Sequence, residues 1–186
     1  MNIFYLDNDP RKCAEMHVDK HVVKMILEYA QLLSTAHRVL DGEEYVGQSQ
    51  SGRKIKRWKL NDTLRDNALY KATHVNHPSA TWVRQSNNNY TWLFRLFQEL
   101  LVEYTHRYQR DHACNQLVSF LRFPPDKIPI NCLTQPTLAM PDIYKVPDDS
   151  RESYRNYYLS VKKHMAKWKN RNVPDWWNVD AVQSTL

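Results

Sequence analysis

Glycine is nearly missing from this chain: three occur in 186 residues, against nine prolines. An all-β fold built on tight turns needs many more turn glycines, and a glycine-rich phosphate loop cannot be assembled from so few. Long apolar runs are also missing. No stretch approaches the roughly 20 residues that span a bilayer, and "MNIFYLDNDPRK" is too polar for a secretory signal. Cysteine is scarce and odd in number, and Cys13, Cys114 and Cys132 have no metal-ligand spacing. The expectation is a cytoplasmic protein with reduced thiols, no membrane partner, and no metal or other cofactor.

Hydrophobic residues make up 42% of the chain and charged residues 25%, which suits one globular domain with a real core. A monomer is expected. The net charge of +6 comes with six tryptophans and eleven tyrosines. Basic plus aromatic is the composition of a surface that holds phosphates and stacks bases. A helical core that uses large rings has the same composition.

Along the chain, "DNDP" caps a first helix with Asp9, with Pro10 at its first position, and the helix runs unbroken to about Leu40. Residues 41–66 contain all three glycines and little apolar periodicity, and read as a mobile basic loop. A second long helix opens at Pro78, with Tyr90, Phe94, Phe97, Leu101, Tyr104 and Tyr108 at helical spacing. "ACNQLVSFL" is a shorter helix, and six prolines between 124 and 147 make an ordered irregular wrap. A last helix runs from about Asp149 to Lys169, and an aromatic tail follows. The fold class expected is all-α: a single compact domain with two long core helices, a C-terminal helix and long ordered loops.

The stretch "HVDKHVVKMILEYAQLLSTA", residues 17–36, carries the chemistry. At 100° per residue, His17, Lys20, His21, Lys24, Glu28, Gln31 and Thr35 share about a third of the helix girth, and apolar residues fill the rest. Such a helix is largely buried, so its polar stripe faces solvent or floors a cleft. One wet side with an ordinary Lys24–Glu28 pair is the plain explanation. Two imidazoles, two amines, a carboxylate and Gln31 are a poor choice for that purpose. As a site, Lys20 or Lys24 is a nucleophilic amine, and Glu28 transfers protons or stabilises an oxocarbenium ion. His17 and His21 also have the i,i+4 spacing of a helical metal pair, but without the glutamate of the H-E-x-x-H pattern.

A second cluster, "THVNHPSATWVR", sets Asn76 and His77 just before Pro78, with Trp82 and Arg84 one and two turns on. A helix start favours anions, and capping by Asn76 or His77 is the simpler reading. Two further stretches interleave basic and aromatic residues: Arg53, Lys54, Lys56, Arg57 and Trp58, and Lys167, Trp168, Lys169 and Arg171. Both are candidate DNA contacts, the first through phosphates. Trp176 and Trp177 are as well suited to anchoring the tail.

"VDKHVVKMILEYAQLL" followed by "NHPSATWVRQSNNNYTWL" resembles the pyrimidine-dimer DNA glycosylase (endonuclease V-type) family of phages and bacteria. The resemblance rests on Asp19, His21, Lys24, Glu28 and Gln31, then Asn76, His77, Pro78 and Trp82, and covers about residues 17–105. It implies an all-α fold, duplex DNA as partner with a base flipped out, attack on the sugar C1′ by an amine, and β-elimination assisted by a glutamate. The family's best-known members use an α-amine freed by removal of the initiator Met. Asn2 is too bulky for ready removal, so the amine here is that of Met1, Lys20 or Lys24. A base-modifying transferase and a non-catalytic DNA-binding protein are the alternative readings.

Overall fold

The structure, a computed structural model, describes residues 1–49 and 51–177. The last nine residues of the expected tail lie outside the described residues. The fold is mainly helical, with α1 (Pro10–Met16), α2 (Asp19–Asp41), α3 (Thr63–Ala68), α4 (Pro78–Arg84), α5 (Asn87–Tyr108), α6 (Val118–Leu121) and α7 (Ser150–Val161). It is not purely all-α. Residues 41–66, expected as a loop, form an antiparallel hairpin of β1 (Glu43–Gln48) and β2 (Lys54–Lys59), then α3.

The two long helices form the core. Val22, Met25, Ile26, Tyr29 and Leu33 of α2 are buried in one cluster with Tyr90, Leu93, Phe97, Leu100 and Tyr104 of α5. The first helix does not run unbroken from Pro10. His17 and Val18 are extended, and the chain restarts as α2 without a side-chain cap. Buried Arg107 of α5 stabilises this break. Its guanidinium donates to the carbonyls of Glu15 and His17 and to the Asp19 carboxylate, and pairs with Glu103. The first amide of α2, Asp19 N–H, is taken by the Lys167 carbonyl at 2.8 Å.

The second long helix is also two. Gln85 ends α4 and Ser86 caps α5, its hydroxyl accepting from the Asn88 amide. Residues 113–117 are a 3₁₀ turn before the four residues of α6. The 124–147 passage is irregular apart from one 3₁₀ turn. The last helix stops at Val161, eight residues short of the Lys169 expected for it, in a 3₁₀ turn.

The hairpin root is fixed by Arg38, fully buried near the end of α2. It donates to the carbonyls of Trp58, Asp66, Leu69 and Tyr70 and to the Asp66 carboxylate. A lone two-stranded hairpin is marginal in water, so this side chain is what ties the ribbon to the domain. Gly42 allows the close approach. A Cβ there would lie 2.5 Å from the Arg38 carbonyl oxygen and 3.1 Å from that of Lys59.

Candidate functional site

The amino terminus is held by the core. Ile3, Phe4, Tyr5 and Leu6 are buried, the Phe4 amide donates to the Tyr29 hydroxyl, and the Leu6 amide donates to the Cys13 thiol. This irregular segment carries Met1 to the start of α4, where the Ser79 hydroxyl donates to the Met1 carbonyl at 3.0 Å. His77 is the N-cap of α4, and its Nδ1 accepts from the Ser79 amide at 3.1 Å. Burial lowers the His77 pKa first, and the nearby Met1 ammonium and His74 lower it further, while Glu28 pulls it up. Met1, Glu28 and His74 therefore each lie within electrostatic reach of His77. Lys24 joins them through its 3.0 Å pair with Glu28.

The cap bond fixes the chemistry of His77. An Nδ1 that accepts an amide proton leaves the neutral ring's own proton on Nε2. With its pKa lowered, the ring stays neutral and acts as a hydrogen-bond donor. Glu28, with a side chain 15% exposed, supplies the carboxylate on this side of α2. His74 sits at φ 50 with its Nδ1 bonded to the Thr73 hydroxyl. Left-handed backbone at a non-glycine residue is a marker of constrained, often functional, geometry.

The polar stripe of α2 divides by burial. Lys20 and Lys24 are exposed, and Glu28 and Gln31 partly so. His17 and His21 are not on the open part of the stripe. His17 is fully buried with its Nδ1 against the Cys13 carbonyl, and burial brings its pKa down to about 4. His21 stacks on Phe4 with ring centroids 4.3 Å apart and bonds Tyr158. Burial, then His17, Lys162 and Lys24, takes its pKa to about 3. Both rings are out of a substrate's reach because an aromatic cluster from the N-terminal segment and α7 covers that side of α2. Among the described residues no three His, Cys, Asp or Glu side chains gather as a metal cage.

The expected DNA contacts divide in the same way. Arg53, Lys54 and Lys56 are exposed on the hairpin, and Arg57 and Trp58 are half-buried. Trp82 is buried, its indole bonded to Thr134, so it is a core residue and not a contact. Arg84 is half-buried and donates to the Val75 carbonyl, bracing the turn that presents His77. Lys167 and Lys169 are exposed, but Trp168 donates to the Met16 carbonyl. Arg171 is taken by Glu103 and Glu15. Trp177 is buried and Trp176 bonds the Met16 sulfur, so this pair anchors the tail. Asn76 is exposed beside His77.

Ser79 is the residue that the sequence did not single out. Its hydroxyl is unremarkable in a first helical turn, and only the path of the N-terminal segment gives it a partner. Two grooves lie elsewhere: about 620 Å³ beside Lys12 and Arg171, and about 490 Å³ along the end of α5. Neither is lined by the Met1 cluster. No helix among the described residues is long and apolar enough to cross a membrane. Compared with protein-family models, with curated proteins and with solved structures, the chain matches none.

Proposed function

We propose that the protein is a DNA-processing enzyme, a DNA glycosylase with abasic-site lyase chemistry, whose nucleophile is the α-amine of Met1. The observation that carries this reading is the approach of Met1 to the start of α4, where its ammonium and the Glu28 carboxylate both act on His77. A free primary amine beside a carboxylate and a fixed donor is what attack at a sugar C1′ requires. Loss of a proton to solvent turns the Met1 ammonium into an amine, whose lone pair forms the C1′–N bond as the bond to the base breaks, its electron pair leaving with the base. Glu28 takes the proton that the amine loses, and opening of the sugar ring gives an imine. Removal of a C2′ proton then expels the 3′ phosphate. His77 donates through Nε2 to the oxygen or base that gains charge. Lys24, paired to Glu28 and exposed, is the second candidate amine and suits a phosphate contact equally well. The family resemblance and the positive charge support DNA as the substrate, with damaged bases, pyrimidine dimers among them, as the class.

Borohydride trapping tests the reading. The protein is incubated with undamaged, UV-irradiated or abasic duplexes and then reduced. A covalent protein–DNA band on UV-treated or abasic DNA, with the adduct mapped to Met1, is expected. Tight binding without a band would retire amine catalysis and leave base transfer or simple binding.

A further inference from the structure

We infer that the outward face of α2, bounded by the hairpin at one end and residues 162–169 at the other, seats a duplex of about one helical turn along the helix axis. This rests on DNA being the partner, as proposed above.

Lys20 and Arg38 are eighteen residues apart, five whole turns, so they point to the same side of α2. Lys24, Leu27 and Gln31 fall within about 40° of that line. At the Arg38 end the side is closed by the hairpin root, since Arg38 is buried under the Trp58 carbonyl. At the other end residues 167–169 cross the helix start, with the Lys167 carbonyl on the Asp19 amide and the Lys169 amide on the Asp19 carboxylate. Between the two, Lys20, Val23, Lys24 and Leu27 are open to solvent.

Both ends are basic. The hairpin presents Arg53, Lys54, Lys56, Arg57 and Lys59 against Glu43 and Glu44, and Glu44 is already paired with Lys56. The other end presents Lys162, Lys163, Lys167 and Lys169. From Asp19 to Arg38 the helix rises about 28 Å, the span of about eight phosphates of one strand, with the open floor running from Lys20 to Gln31 and Ser34 and Thr35 buried beyond it. Positive charge at two ends of an amine-lined floor complements a polyanion of that length. A compact acidic ligand would engage only one end.

The test is fluorescence anisotropy with duplexes of about 6, 9 and 14 base pairs, measured across a salt series. The proteins are wild type, Lys54→Ala/Lys56→Ala, Lys163→Ala/Lys167→Ala, and the four combined. These side chains are exposed, so folding is retained. On the longest duplex each pair of substitutions is expected to weaken binding about 10-fold and to lower the salt slope by about two, and the two effects should multiply. On the shortest duplex either pair alone should cost no more than about 2-fold, because a short duplex can shift to the intact end. Equal losses at every length, or a single strand bound as tightly as the duplex, would overturn the seat while leaving DNA as the partner. Failure of wild type to bind any duplex would overturn the DNA reading itself.

Discussion

The Ser79 hydroxyl donates to the Met1 carbonyl across 3.0 Å, joining the first residue of the chain to the first turn of α4. The bond holds the Met1 carbonyl at the helix start that His77 caps. Ser79→Ala removes it without touching the His77 cap, which uses the Ser79 amide. Stability should fall by only about 1 kcal/mol, while the trapping rate falls about 10-fold through loss of positioning. Thermal unfolding and single-turnover trapping measure the two separately.

Glu28→Gln keeps the size of the side chain and removes the proton acceptor. Trapping should fall at least about 100-fold, the usual scale for a positioned acid or base. Duplex affinity should hold or rise slightly, because a negative charge leaves a basic face. If the variant instead binds more weakly and wild type shows no turnover, the binding-module reading wins.

Stability should decline in mild acid. His17, His21 and His37 have folded pKa values of about 4, 3 and 3, each lowered chiefly by burial, against about 6.5 in an unfolded chain. The unfolded state therefore binds more protons below pH 6.5. The stability these buried neutral rings contribute is complete above that value and is lost as pH falls toward 4 and then 3. Each ring can cost up to about 1.4 kcal/mol per pH unit inside its window. Urea unfolding from pH 7 to 4 should show this slope, and His21→Phe, which keeps a ring to stack on Phe4, should flatten it by one proton's worth.

Gly42→Ala should detach the hairpin. The new methyl would meet the Arg38 carbonyl oxygen at 2.5 Å, and the strain of such overpacking is about 1–3 kcal/mol. Hydrogen exchange should quicken in β1 and β2 while the amides of α5 stay protected. Affinity for the longest duplex should fall as it does for the hairpin lysine variants.

Arg38→Met should be far more costly than any surface change. It leaves the carbonyls of Trp58, Leu69 and Tyr70 without their donor and the Asp66 carboxylate with only the Leu60 amide and Lys71. Breaking a buried pair on one side costs about 3–5 kcal/mol. Chemical denaturation measures it, and an unchanged midpoint would show that the hairpin root is held by something else.

Some features were legible because they are local. Asp9 and Pro10 mark the start of α1, and His77 and Pro78 mark α4, because capping depends on neighbouring residues alone. The long amphipathic stripes of α2 and α5 show in their periodicity. Ser86 also carried a cap signal, and reading through it merged α4 with α5. The break at His17–Val18 had no such signal. It exists because Arg107, ninety residues away, satisfies the carbonyl groups it frees.

The sequence by itself determined a helical, basic, aromatic-rich chain with Lys24, Glu28 and His77 as candidate chemistry, because composition and 3.6-residue spacing are properties of neighbours. Tertiary structure alone decided which members of the stripe face solvent. His17 and His21 share the helical side of Lys24, yet Phe4 and Tyr158 bury them. It also decided that Met1 meets Ser79 at the start of α4 and that a hairpin closes one end of α2. Those depend on where segments far apart in the chain come to lie, and side-chain burial there is set by partners that helical periodicity does not encode.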